Sequence, residues 1–244
     1  MMKTRFAEID IARAVAVLMM ITFHILFDVN SFEIYSINVD TGFLWWFARV
    51  TAGTFIFIAG ISLTIRYSRS KEFRMFLLRG MKIFCWGLAI TLVTWLVMPE
   101  TYIIFGILHF IGIGIILGYF FVRFRLINLG LGAVLIAGGV LLMRTSFSFP
   151  WLLPLGLMPT DFQTADYIPL LPWFGVLLIG ICAGNTFYPD GQRSFNLQLK
   201  ANRFTRPLAF MGRKSLLIYL VHQPLIIAIL FAANYDTMRS FLPF

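Results

Sequence analysis

An all-α bundle of membrane-spanning helices is the fold this sequence predicts, on three observations: an apolar share too large for a water-soluble domain, apolar runs of spanning length, and basic residues confined to alternate connections. Of 244 residues, 59% are hydrophobic and 17% aromatic, whereas 13% are charged. A soluble domain of this length has too little interior to bury that surface, so the bilayer is its natural solvent. Seven stretches can cross roughly 30 Å of hydrocarbon at about 1.5 Å per residue. They are residues 12–29, 43–65, 80–98, 102–121, 127–143, 168–187 and 214–233. No internal repeat, low-complexity tract or soluble domain interrupts them, and residues 1–244 read as one membrane domain.

The connections set the orientation. Lys3, Arg5 and Arg13 precede or open the first span. Arg66, Arg69, Lys71, Arg74, Arg79 and Lys82 surround the second connection, Arg123 and Arg125 mark the fourth, and Arg193, Lys200, Arg203, Arg206, Arg213 and Lys214 fill the sixth. The first, third and fifth connections and the carboxyl tail carry only Arg144 and Arg239, beside Glu33, Asp40, Glu100, Asp161, Asp166 and Asp236. The positive-inside rule then predicts a cytoplasmic amino terminus and an outer carboxyl terminus, in a multi-pass protein of the plasma or inner membrane. Trp45, Trp46, Trp151 and Trp173 fall near the expected outer interfaces, where amphipathic rings are most stable. The connection 144–167, rich in Pro, Phe and Leu, is expected to pack on the outer surface as a lid.

The net charge of +9 does not indicate nucleic acid, because its Lys and Arg lie in short patches between apolar runs rather than on one basic face. The first apolar run resembles a signal peptide in position, but it carries Asp10, Arg13, His24 and Asp28 and lacks a small-residue cleavage site, so it reads as a retained helix. Gly106, Gly112, Gly114 and Gly118 do not form a nucleotide fingerprint; the GxxxG spacing of Gly114 and Gly118 predicts close helix packing instead. No metal-ligand spacing is present.

Function is signalled by ionisable groups at membrane depth. All three histidines, His24, His109 and His222, fall within predicted spans, as do Asp28 and Arg49. Such groups normally face a bundle interior or a wet cavity. By distance from the outer span ends, His24, Arg49 and His109 share a layer on the order of 10 Å deep, with His222 nearer the midplane. His24 and Asp28, at i and i+4, share a helix face, so the carboxylate is placed to receive an imidazole N–H and leave the other nitrogen as a base. Three bland alternatives stand beside this. A buried histidine can simply bond a neighbouring helix, Asp28 can pair with Arg49 instead, and Arg49 can snorkel to the outer surface. Near the cytoplasmic end, Glu8, Asp10 and Arg13 form a second charged set, with Arg13 about 16 Å from His24 along one helix.

Arg13 and His24, with ten residues between them, resemble the R-x10-H pattern that opens the membrane acyltransferase type 3 proteins. More closely, the chain resembles small prokaryotic relatives of heparan-α-glucosaminide N-acetyltransferase that carry its catalytic domain. The resemblance rests on five segments in order: Glu8-Ile-Asp-Ile-Ala-Arg13 through His24; Phe55-Ile-Phe-Ile-Ala-Gly60-Ile-Ser-Leu-Thr64; Phe105-Gly-Ile-Leu-His109-Phe-Ile-Gly112; Asp166-Tyr-Ile-Pro-Leu-Leu-Pro-Trp173-Phe-Gly175; and Gly212-Arg-Lys-Ser215-Leu-Leu-Ile-Tyr219-Leu-Val-His222-Gln-Pro224. It implies an acyltransferase that takes an acyl group, acetyl by preference, from acyl-CoA and delivers it to a sugar or glycan across the membrane. No permanently bound cofactor is implied. The chain departs from the metazoan enzyme in having fewer spans and only a brief first outer connection.

On that reading Arg13, Arg66 and Arg69 meet the CoA phosphates, His24 is the general base oriented by Asp28, and Arg49, His109 or His222 stabilises the oxyanion. A proton-coupled transporter or flippase of a polar lipid or sugar is the competing class, since the same buried groups suit translocation, although no span is visibly broken in its middle. A haem protein with histidine ligands from several spans and a purely structural subunit are further alternatives. The sequence leaves self-association into a homo-oligomer open.

Overall fold

Hydrocarbon offers backbone N–H and C=O groups no water, so an apolar run must pair them internally, and the helix does so within one segment. The computed structural model of the protein describes residues 5–143, 145, 150–160, 162–197, 199 and 201–238. Among these residues the only strand-like pairing is an isolated parallel bridge between Phe105 and Tyr167. The helices are α1 (Ala7–Ser31), α2 (Gly42–Arg69), α3 (Phe73–Val97), α4 (Ile107–Gly118), α5 (Leu126–Leu142), α6 (Leu170–Phe187), α7 (Thr205–Arg213), α8 (Ser215–Ala233) and α9 (Tyr235–Met238). Five of them, α1, α2, α3, α6 and α8, are long and apolar enough to cross a membrane. The fourth and fifth expected spans correspond to shorter apolar helices, Ile107–Phe121 and Leu126–Leu142.

Two differences from the sequence reading have local causes. The fourth span was expected from residue 102, but the helix begins only after Gly106, because the preceding stretch bonds elsewhere: Ala165 N–H donates to Thr101 O at 2.9 Å, and Ile168 N–H to Phe105 O at 2.9 Å. The nine-residue α7 was not expected at all. Its Arg206 and Arg213 depress hydropathy, while Ala209 and Gly212 form the buried side of an amphipathic helix.

The chain divides into two compact units, Met1–Phe55 with Leu197–Phe244, and Ile56–Asn196, so that α2 contributes to both. In the first unit α1 packs on α7 and α8. The α1/α7 approach is so close that a Cβ on Gly212 would collide with the backbone of Asp10.

In the second unit α3 pairs with α4 and α5 with α6. The first hairpin closes on facing glycines: a Cβ on Gly80 would lie 2.6 Å from Gly112 O, and one on Gly112 would lie 2.8 Å from Gly80 O. Gly114 and Gly118, the pair singled out by spacing, meet side chains instead, Leu177 Cδ2 at 3.2 Å and Leu63 Cδ2 at 2.7 Å. Spacing marks a helix face as smooth, but the partner decides which glycine takes the backbone contact.

The two ends of this unit differ in chemistry. At one end Arg123 Nε donates to the Tyr67 hydroxyl at 2.9 Å, Tyr119 OH to Lys71 O at 2.7 Å, and Arg125 Nε to Thr186 Oγ1 at 3.2 Å. Arg123 is held above its ordinary pKa, chiefly by its hydrogen bond to Tyr67. At the other end, Thr164 Oγ1 donates to Tyr102 O at 2.7 Å and Tyr167 OH to Leu153 O at 2.6 Å. The connection expected to form a lid contains a 3-10 helix, Pro150–Leu155, is tied back on itself by Tyr167, and is stitched to the segment preceding α4 through Thr164 and Ala165. Arg144 and Asp161 of that connection lie outside the described residues.

Candidate functional site

His24 and Asp28 lie one turn apart on α1, and His222 and Gln223 are consecutive on α8. The α1/α8 contact brings the four together. The imidazole rings of His24 and His222 meet edge to face with centroids 4.8 Å apart. Asp28 is 3% exposed and accepts from Gln223 Nε2 with both oxygens, at 2.8 Å to Oδ1 and 2.9 Å to Oδ2. Phe23 packs edge-on to His24 at 5.8 Å, and Tyr219 lies 5.5 Å from the His222 ring.

Asp28 does not orient His24, contrary to the i, i+4 expectation. The His24 Nδ1–H points to Met20 O at 2.9 Å, one turn earlier. Helical side chains lean toward the amino terminus, so the imidazole reaches the carbonyl behind it more readily than the carboxylate ahead. A carbonyl can only accept, so Nδ1 carries the hydrogen and Nε2 is left with its lone pair. The tautomer expected from a carboxylate partner thus arises from a backbone partner. His222 follows the same rule: Nδ1–H donates to Tyr219 O at 2.6 Å, and Nε2 is buried without a protein partner.

Arg49 makes no ion pair with Asp28. It lies exposed on α2, its guanidinium carbon 3.3 Å from the Trp45 ring centroid, with Nη1 donating to Trp45 O at 3.2 Å. Arg13 pairs with Asp10 at 2.7 Å across one turn of α1. Asp10 is itself buried, beneath Gly212 of α7. Arg66, half-buried, and Arg69, exposed, occupy the last turn of α2 within the second unit.

His109, in the second unit, has a different environment. Nδ1 accepts the Gly106 N–H at 3.2 Å, so Nε2 carries the hydrogen and donates to Thr91 Oγ1 at 3.3 Å. The Thr91 hydroxyl in turn donates to Ile103 O at 2.6 Å. Phe105 stacks on the ring at 5.6 Å, Phe84 meets it edge-on at 5.2 Å, and a Cβ on Gly87 would lie 3.0 Å from its atoms. Gly106 has no side chain with which to cap α4, and His109 supplies one bond of the cap. Asp166 supplies another by accepting the Ile107 N–H at 3.2 Å. Burial pushes Asp166 up to about 6, against the lowering effect of the Ile107 and Tyr167 N–H groups. Burial also pushes the Tyr167 phenol up to about 12.

Sequence reasoning passed over Gln223, Thr91 and Asp166 as site residues. Gln223 stands inside the quoted His222-Gln-Pro224 segment, and its signal is a polar amide in an apolar span next to a histidine. Thr91 gives no such signal, because a threonine in a span usually bonds its own helix. Among the described residues no group of three or more His, Cys, Asp and Glu side chains can hold a metal ion.

Five helices long and apolar enough to cross a bilayer make this a helical membrane protein, and its α1/α8 contact sets half-buried His24 against buried His222. A family model described as heparan-alpha-glucosaminide N-acetyltransferase, catalytic, matches residues 5–224, and the chain belongs to that family of membrane acetyltransferases. Comparisons with curated proteins and with solved structures return no significant match.

Proposed function

We propose that the protein moves an acyl group, acetyl by preference, from cytoplasmic acyl-CoA to an amine or hydroxyl of an extracytoplasmic sugar or glycan, with His24 as general base. One observation carries this reading: His24 spends Nδ1–H on the Met20 carbonyl and keeps Nε2 unpaired beside a second imidazole. The attacking N–H or O–H group adds to the thioester carbonyl while its proton passes to His24 Nε2. The tetrahedral adduct then collapses, the C–S bond breaks, and the thiolate takes the proton from His24 as CoA thiol. Base catalysis of this kind contributes about 10²- to 10⁴-fold.

An oxyanion needs N–H donors, and the candidates differ in what they can offer. His109 has both nitrogens committed, and His222 presents a lone pair. Arg49 uses one donor on Trp45 and keeps others, which favours it for the oxyanion. Arg13, Arg66 and Arg69 receive the CoA phosphates as charge-assisted donors at the cytoplasmic side of an N-in, C-out bundle in the plasma or inner membrane.

The test is to incubate detergent-purified protein with radiolabelled acetyl-CoA and candidate glycans, following thiol release and labelled product. Thiol release that depends on a glycan, with label in that glycan, is the expected result. Glycan movement across reconstituted vesicles with no consumption of acetyl-CoA would make the protein a transporter instead.

A further inference from the structure

Polar groups at the α1/α8 contact are unequally satisfied. Gln223 Nε2 donates to both carboxylate oxygens of Asp28, at 2.8 and 2.9 Å, which fixes the amide's direction. The reverse orientation would set its carbonyl oxygen against two carboxylate oxygens. Oε1 therefore faces away from Asp28, and it is buried without a protein partner. One residue earlier His222, 7% exposed, leaves Nε2 as a buried lone pair with no partner. On α1, His24 leaves Nε2 as a lone pair as well, its ring 4.8 Å from that of His222.

Two buried acceptors on consecutive residues, His222 Nε2 and Gln223 Oε1, thus lack a protein donor, and the lone pair of His24 Nε2 lies close by. A buried acceptor without a donor is destabilising, and a native fold that keeps several together marks a place where another molecule completes the set. The missing partner is of one kind. It brings N–H or O–H hydrogens, and it is the reverse of an oxyanion, which needs the protein to donate.

We propose that Gln223 is a recognition residue of the acyl-acceptor site: clamped by Asp28, it turns Oε1 to receive, beside Nε2 of His222, the N–H or O–H donors of the acceptor's nucleophilic end. The inference rests on the acyltransferase reading given above. It assigns the acceptor, rather than the thioester carbonyl, to the α8 side of His24. It also gives Asp28 its task, which is to hold the amide. His222 becomes a hydrogen-bond acceptor for the substrate, and His24 Nε2 stands next to the hydrogens it must remove.

The test uses the full chain in detergent, acetyl-CoA, and two radiolabelled probes: methyl α-D-glucosaminide and the corresponding 2-deoxyglucoside, which lacks the amine. Wild-type protein is expected to bind the glucosaminide about tenfold more tightly than the deoxy probe, the usual size of one or two buried hydrogen bonds. Gln223→Met, similar in volume but without the amide, is expected to raise the Kd and KM for the glucosaminide about tenfold and to leave the Kd for acetyl-CoA unchanged. A purely structural role would shift donor and acceptor affinities together. Unchanged glucosaminide affinity in folded Gln223→Met overturns the proposal. If that variant does not fold, equal binding of the two probes by wild type overturns it. Selective glucosaminide binding without acetylated product would remove the acyltransferase reading and leave Gln223 in its role. Product formation with a wild-type acceptor KM in Gln223→Met would do the opposite.

Discussion

His109 and the pair His24 and His222 are chemically the same side chain in similarly apolar surroundings, yet their hydrogen bonds differ in kind. His109 gives one nitrogen to the Gly106 N–H and the other to Thr91, and two aromatic rings and Gly87 enclose it. His24 and His222 each spend Nδ1–H on a carbonyl of their own helix and hold Nε2 in reserve. A satisfied imidazole fixes structure; one with a spare lone pair can take a proton or a ligand. The difference shows that depth in the membrane alone does not identify a catalytic histidine.

Substitutions can break that contrast. His24→Ala carries the largest expected effect, a loss of acetyl transfer by at least about 10²-fold, with acetyl-CoA affinity and thermal unfolding in detergent unchanged. Wild-type turnover in this variant would remove the base. His109→Ala should do the reverse. It leaves the Gly106 N–H without its acceptor, takes the ring N–H from Thr91 Oγ1 and opens space beneath Gly87, at a cost of about 2–4 kcal/mol in stability. The folded fraction should keep its activity. A stable but inactive His109→Ala protein would move His109 into the chemistry.

Arg13→Ala is expected to weaken acetyl-CoA binding by about tenfold, the scale of one charge-assisted hydrogen bond, with little change in acceptor KM. Equilibrium binding of the donor checks it, and an unaltered Kd would count against Arg13 as a phosphate partner.

The smallest effect is pH-dependent and belongs to the α4 cap. Asp166, pushed up to about 6, holds its proton in the folded protein over a range where the unfolded chain has already released it. Its contribution to stability is therefore greatest in acid, falls as pH rises from about 4 to about 6, and is level above that. Asp166→Asn keeps an oxygen for the Ile107 N–H and removes the titration. The variant should gain stability relative to wild type as pH is raised from 5 to 7, read as the difference between their unfolding midpoints.

Particular residues show how far the sequence was legible. The positions of α1, α2, α3, α6 and α8 follow from hydropathy, because a run that must hide its backbone in lipid has few options. His24 and Asp28 were legible as a pair through their spacing, whereas depth set His222 apart from them, nearer the midplane, and only the α1/α8 contact brings its ring to His24. The partner of each was not. Asp28 was read as the orienter of His24 and turns out to hold Gln223, 195 positions away in sequence. His109 was grouped with His24 by depth, and its capping bonds depend on where α4 starts, which Asp166 and the segment before Gly106 decide. The amphipathic α7 escaped because a short basic helix packed on α1 carries no spanning signal.

Composition and order along the chain determined by themselves that this protein is a helical membrane protein, where its long helices run, and which ionisable groups lie within them. Each of those follows from local transfer energies that need no knowledge of neighbours. Tertiary structure alone decided which lone pairs stay free. A histidine's role depends on what faces each ring nitrogen, and that is set by atoms from helices far apart in sequence.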